Sequence, residues 1–336
     1  MILLTYGTRP EYIKIKPIIS EFKKHGIPYK VLFTGQHKDI ANGDYDYKLE
    51  MTDLSSNRLD SVIGNLMNLP DEIFDGITYV LVQGDTTSVV GLALSALHRK
   101  IKVIHLEAGL RTYDTENPYP EENNRRIVST IASIHLCPTV QNAENLYKER
   151  VLGQIHVVGN TVLDNLIDYK EKCEYTDKVL ITMHRRENHD KINFWFTEIN
   201  ELAKRYPELE FILPIHPNPN VQKYKDILTH VTVIPSMNHD DLLALLVKTK
   251  LVITDSGGIQ EECSFFNKKC IVCRKVTERP ESLGSTSFLV LHPDELSIVF
   301  NEHYENYVVD VKSPYGDGTS AKKICKIVNQ MINELA

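Results

Sequence analysis

The chain reads as α/β, built from two doubly wound domains, each a parallel sheet with helices on both faces. Three observations carry this. Short apolar runs of strand length alternate with amphipathic runs of helix length through most of the sequence. The alternation pauses over a polar, charged stretch near residues 166–178 and then restarts. Finally, the residues that directly follow the apolar runs are unusually polar, and open parallel sheets bind ligands beyond the carboxyl ends of their strands. A length of 336 residues leaves room for two domains of ordinary size.

Residues 2–6, 29–34, 79–83, 103–106, 134–137 and 155–158 predict the strands of the first domain, with helices over 11–24 and 88–99. In the second, 179–183, 211–214, 231–234, 251–254 and 270–273 predict strands, and 194–205, 240–247 and 259–266 predict helices. Pro17 predicts a bend or an early end to the first helix. The closing stretch PYGDGTSAKKICKIVNQMINEL predicts a loop, a Thr/Ser cap and an amphipathic helix with Ile324, Ile327, Val328 and Met331 on one side. The expected boundaries are a first domain over 1–167, a linker over 168–178, a second domain over 179–312 and a C-terminal helical segment over 313–336.

Composition excludes several classes. The formal net charge of −7 argues against nucleic acid as a general partner, which needs a basic face. The longest apolar stretches, such as 89–97, are too short to span or insert into a bilayer. The opening MILLTYG reads as a strand entering a turn, without the features of a secretion signal, and predicts a cytoplasmic protein. The six cysteines are mostly scattered. Cys270 and Cys273 form C-x-x-C inside a strand, where alternation sends them to opposite faces, and no second pair completes a metal site.

The chemistry sits at the strand ends. GTRPEYIK follows the first strand and offers Gly7 for a tight turn, Pro10 for the first helical position, and a helix N-terminus with Arg9 beside it and Lys14 one turn on. GDTTS places Asp85 on a strand-to-helix turn, where it reads equally as a simple N-cap. HLEAGLRTYDTENPYPEENNRR ends a strand on Glu107 and then crowds carboxylates and arginines into one loop, which taken alone reads as solvated surface. Carboxylates gathered at neighbouring strand ends suit paired acid/base chemistry. In the second half, TMHRRENH places His184 after a strand and PIHPNPNV places His216 after another. TDSGGIQEE turns on Ser256, Gly257 and Gly258 into a helix whose backbone N–H groups suit a diphosphate, with Glu262 one turn in. Arg274 and Arg279 follow the next strand. A domain built for acid/base work and a domain built for a nucleotide diphosphate together predict a nucleotide sugar as substrate.

GTRPE, QGDTTS, HLEAGLRT, PYPEENNRR, GNTVLDNL, HRREN, HPNPNV, DSGGIQEE, TERPE and PYGDG occur in this order. Together they resemble the non-hydrolysing UDP-N-acetylglucosamine 2-epimerases over nearly the whole chain. The resemblance implies a GT-B-like fold of two Rossmann-like domains, with a C-terminal helix crossing back to the first. It implies 2-epimerisation of a UDP-2-acetamido sugar for cell-surface polysaccharide precursors, by elimination and re-addition of UDP. It implies a homodimer that needs no cofactor and no metal. It assigns Asp85, Glu107 and Glu121 as catalytic carboxylates, with His184 also catalytic. Substrate and UDP binding fall to Arg9, Lys14, Arg125, His184, His216, Ser256, Gly257, Gly258, Glu262 and Arg279.

The chain departs from the family in GQHKDIANGDYDYKLEMTDLSSNRLD, which is polar and short. Relatives use this region to bind a second UDP-N-acetylglucosamine as an activator, for which Gln36, His37 and Arg58 are the candidates here. Competing readings are a hydrolysing epimerase, a GT-B glycosyltransferase and a sensor that binds without turnover. A glycosyltransferase would leave the three carboxylates without a task, and their presence argues against a sensor.

Overall fold

A computed structural model describes residues 1–36, 44–116 and 118–334, without the side chain of Arg186. The chain divides into two compact units, one of Met1–Asn165 with Gly316–Ala336, the other of Leu166–Tyr315. Among the described residues no helix is long and apolar enough to cross a membrane.

The first unit runs β1 (Ile2–Tyr6), α1 (Arg9–His25), β2 (Tyr29–Phe33), β3 (Tyr47–Lys48), α2 (Arg58–Met67), β4 (Tyr79–Gln83), α3 (Thr87–His98), β5 (Lys102–Leu106), α4 (Glu121–Ile131), β6 (Ile134–Cys137), α5 (Val140–Lys148) and β7 (Gln154–Val157). Its seven strands lie in the order β3-β2-β1-β4-β5-β6-β7, and all neighbours are parallel. The order reverses between β1 and β4, so the chain leaves these two neighbours in opposite directions and opens a crevice at their carboxyl ends. Both strands are buried throughout, as a sheet covered on both faces requires.

The second unit runs α6 (Ile167–Lys170), β8 (Lys178–Thr182), α7 (Ile192–Arg205), β9 (Glu210–Pro214), α8 (Pro219–Gln222), β10 (Thr232–Ile234), α9 (His239–Leu246), β11 (Leu251–Thr254), α10 (Gly257–Phe265), β12 (Lys269–Cys273), β13 (Ser287–Val290) and α11 (Leu296–Glu305). Its six strands follow the order β10-β9-β8-β11-β12-β13, again all parallel, and reverse between β8 and β11. Trp195, Phe196, Ile199 and Leu202 of α7 form the core with β8, β9 and β11. The stretch expected as a linker opens this unit and starts with the single turn α6. The last helix, α12 (Ser320–Asn333), belongs to the first unit, where Ile324, Val328 and Met331 join Ile15, Ile18 and Phe22 of α1 in one core. Each such side chain contributes about 1.5–3 kcal/mol on burial.

One expectation is corrected by a contact far away in sequence. Pro17 does not end α1, which continues past it from its cap Thr8, in a capping box with Glu11, to the left-handed Gly26 (φ 66°). A proline leaves the carbonyl four residues earlier without its N–H donor. Here that carbonyl is Ile13 O, and Asn165 Nδ2 donates to it at 2.9 Å. Its neighbour Asp164 accepts the backbone N–H groups of Ser320 (3.1 Å) and Ala321 (2.8 Å), which otherwise would be orphans at the start of α12. The NTVLDNL stretch is therefore a staple for two helices.

Asn165→Ala is expected to lower the unfolding free energy by roughly 1 kcal/mol, because it removes the donor from a half-buried carbonyl. In a Pro17→Ala background the same change costs less, since residue 17 then supplies its own N–H. Urea denaturation of the four proteins of this cycle measures the coupling, and simple additivity would show that the two residues act separately.

Candidate active site

In the first unit the reversal point carries a pocket of about 300 Å³ lined by Thr8, Pro10, Glu11, Lys14, Gln36, Gln83, Gly84, Asp85, Thr86 and Glu107. Glu107, directly after β5, has φ 66°, a left-handed backbone that costs a non-glycine residue roughly 1–3 kcal/mol. Its Oε2 accepts hydrogen bonds from Gln83 Nε2, at the end of β4, and from Lys14 Nζ, on α1. Gly109, two residues on, has φ 87°, and a Cβ there would stand 2.2 Å from Asn142 O, so the turn that aims Glu107 tolerates only glycine. His105 lies fully buried beneath it. Burial holds its pKa down at about 3, opposed by its bond to Gly84 O, so the ring is neutral. At 2.8 Å from that carbonyl, Nε2 must carry the proton.

Asp85 is held from α4. Arg125 Nε and Nη2 reach Asp85 Oδ2 at 2.8 and 2.7 Å, and Asn124 Nδ2 donates to Asp85 O at 2.8 Å. The same guanidinium pairs with Glu122 at 3.0 Å. Burial pushes the Glu122 carboxyl up, but N–H groups of Thr112 and Tyr113 together with Arg125 outweigh it and hold the net value below the usual carboxylate range. The reading of Asp85 as an N-cap is not met, because the N-cap of α3 is Thr86, without any side-chain cap bond. Glu121 opens α4 beside these groups, with Oε2 buried and without a hydrogen-bond partner, and is not among the residues lining the pocket.

The turn before α1 holds a carboxylate of its own: the N–H groups of Gly7 and Thr8 donate to Glu11 Oε2 at 2.5 and 3.1 Å. Thr86 Oγ1 donates to Glu11 Oε1 at 2.9 Å. Glu11 is buried, which raises its pKa against these donors, and it ties the turn after β1 to the turn after β4. Sequence reasoning missed it. The signal was the capping-box spacing of Thr8 and Glu11. Arg9 is exposed at this turn. Of the residues tied to an activator site, Arg58 Nη2 donates to Gln36 O at 3.3 Å, whereas His37 lies outside the described residues.

In the second unit the reversal point brings together β8 and β11. Asp255, at the end of β11, is fully buried. It accepts the N–H groups of His184 (3.0 Å) and Arg185 (2.8 Å) and Nδ2 of Asn188 (3.1 Å). His184 stacks on His216 with centroids 5.6 Å apart. Ser256, Gly257 and Gly258 lead into α10. A Cβ on Gly257 would stand 2.5 Å from Arg279 Nη1, while one on Gly258 would meet nothing nearer than Ser256 Oγ at 3.9 Å. So Gly257 admits the guanidinium beneath the turn, and Gly258 leaves its outer side open. Arg279 also pairs with Glu261 and Glu278, and Arg274 bridges Glu278 and Glu187 at 2.8 and 2.7 Å. Burial opposes ionisation of Glu278, yet the flanking arginines hold its pKa far below the usual carboxylate range. Glu262 pairs with His239 at 2.9 Å through Oε1, and its Oε2 is buried without a hydrogen-bond partner. Among the described residues no cluster of His, Cys, Asp or Glu is placed to hold a metal ion.

A family model described as UDP-N-acetylglucosamine 2-epimerase matches residues 20–329. The chain belongs to the UDP-N-acetylglucosamine 2-epimerase family, of the non-hydrolysing type. It is 34% identical to the UDP-N-acetylglucosamine 2-epimerase of Neisseria meningitidis serogroup A, over 96% of this chain and 97% of that one. It is 35% identical to the enzyme of the same name from Campylobacter jejuni, over 97% of each. The crystal structure of UDP-GlcNAc 2-epimerase from Neisseria meningitidis bound to UDP-GlcNAc matches with a TM-score of 0.85 and 33% identity, over 98% of this chain and 99% of that one. The two Rossmann-like units with a C-terminal helix are therefore the GT-B-like fold of this epimerase family.

The neutral state of His105 gives a test of this shelf. Its folded pKa is depressed, so its contribution to stability is complete above the unfolded value near 6.5 and is lost as pH falls from there toward about 3. His105→Gln can still donate to Gly84 O. It is expected to flatten the fall in unfolding free energy across that window by up to one proton, read from urea midpoints at several pH values; an unchanged pH slope would mean that His105 is charged in the fold.

Proposed function

We propose that this chain interconverts UDP-N-acetylglucosamine and UDP-N-acetylmannosamine, supplying precursors for a cell-surface polysaccharide, with the first unit performing the proton chemistry and the second gripping the nucleotide. The observation that carries the reading is the convergence of Asp85, Glu107 and Lys14 on one pocket at the strand reversal, with Glu107 held in a strained backbone. Strain of this kind persists where the surroundings over-determine it, as at sites selected for function.

A carboxylate takes the proton from sugar C2 while the C1–O bond breaks on the opposite face, its electron pair leaving with UDP and a C1=C2 double bond forming. UDP then adds back to C1, and C2 receives a proton on the other face. The reaction needs a base on one side and an acid on the other, and Asp85, Glu107 and Glu121 supply carboxyl groups in different surroundings. Lys14 and Arg125 hold Glu107 and Asp85 in place. In the second unit, the Ser256–Gly258 turn offers backbone N–H groups to the diphosphate, with His184, His216 and Arg279 as the cationic and polar partners and Glu262 for the ribose; the resemblance assigns Arg9 of the first unit to UDP as well. Retention of the leaving diphosphate separates this route from hydrolysis. A homodimer and a cytoplasmic setting are part of the same proposal, on the family resemblance.

Incubation with UDP-N-acetylglucosamine in D₂O tests the reaction. NMR should show a mixture of the two epimers, one deuterium at C2 per turnover and little free UDP. Stoichiometric release of UDP and N-acetylmannosamine would place the chain among the hydrolysing enzymes instead.

Glu107→Gln is expected to lower turnover about a hundredfold or more while UDP affinity stays close to wild type. Gly258→Val is expected to do the reverse, because its side chain fills the open side of the turn. Calorimetry with UDP and steady-state kinetics separate the two. A collapse of UDP affinity in Glu107→Gln with turnover intact would make Glu107 a binding residue.

A further inference from the structure

His184 faces a carboxylate that has more to do than hold a loop. Asp255 Oδ1 lies 3.5 Å from His184 Nδ1, an ion-pair separation, and the other partners of this buried carboxylate are all N–H donors, the pattern of an ionised group. The His184 side chain is 39% exposed, so solvent protons reach the ring. We propose that His184 is a proton-coupled clamp that takes up a proton from solvent as the nucleotide diphosphate binds and returns it on release, with Asp255 as its fixed counter-ion. This rests on the reading of the second unit as the nucleotide site.

The groups around the ring set the balance. In the free protein burial disfavours the imidazolium, Asp255 favours it, and Arg185, His216 and His189 oppose it, so the pKa lies below its ordinary value. His216 contributes from the segment after β9, stacked at 5.6 Å, and His189 from the loop after β8, with Nε2 3.2 Å from His184 O. An anion placed within about 4–6 Å of the ring favours its charged form by a factor of roughly 10–1,000. That is enough to reverse a balance set by one carboxylate against a cation and two rings. The imidazolium then sits between two anions, Asp255 behind and diphosphate in front. A permanently charged lysine or arginine there would hold the product as tightly as the transition state, whereas a histidine discharges when the anion leaves.

Asp255 is on this account a positioning and charge-balancing residue, and it appears in none of the binding roles assigned above. Calorimetry of UDP binding to the whole enzyme at pH 7.5, in two buffers of different ionisation enthalpy, measures the proton directly. Wild type should take up a large fraction of one proton more than His184→Gln, in which the ionisation of UDP itself is the same. Asp255→Asn should take up less than wild type and bind UDP about tenfold or more weakly at pH 8, with the gap closing as pH falls toward 6. Equal uptake in wild type and His184→Gln would overturn the clamp alone. So would an Asp255→Asn loss that stays constant across pH, which is the signature of a merely structural carboxylate. Failure of wild type to bind UDP at all would overturn the nucleotide site and the clamp with it.

Discussion

Each sheet reverses its strand order once, and each reversal leaves two loops diverging from adjacent strand ends with backbone N–H groups pointing into the gap. A buried carboxylate closes both gaps. In the first unit Glu11 gathers Gly7 N, Thr8 N and the hydroxyl of Thr86, linking the ends of β1 and β4. In the second Asp255 gathers His184 N, Arg185 N and Asn188, linking the ends of β8 and β11. Buried N–H groups left unpaired would cost about 1–3 kcal/mol each. The rest of each site is built on these two staples, since Asp85 directly precedes the tied Thr86 and Ser256 directly follows Asp255.

Charge compensation explains the density of arginines that the sequence shows. Asp85 and Glu122 share Arg125, and Glu278 is shared by Arg274 and Arg279. Breaking one partner of such a buried set leaves an uncompensated charge, which costs far more than the pair contributes. These networks therefore fix geometry more than they add stability. Carboxylates set for the proposed acid/base chemistry would benefit from that stiffness, because misplacement by about 1 Å is enough to slow a reaction severely.

Gln36 receives a bond from Arg58 and lines the same pocket as Asp85 and Glu107. Ser88 Oγ also donates to Gln36 Oε1. Gln36 thus ties the start of the short polar segment to the pocket at the strand reversal.

Periodicity and composition determined the parallel sheets, most strand limits and the placement of polar residues at strand ends, because side-chain alternation and helix length are local properties of the chain. The Gly-Gly turn and the carboxylates of the first unit were legible for the same reason. Short elements without an apolar run, such as β3 and the helix α2 with its Asn57 cap, were not. Nor was the continuity of α1 through Pro17, which depends on Asn165 reaching Ile13 O from far along the chain. Glu11 read only as the start of a helix and Asp255 drew no role, and only the reversal of strand order shows that they join two loops. The tertiary structure decided which carboxylates staple backbone and which are held by side chains, because that choice rests on donors brought together from distant segments, and no window of sequence contains them.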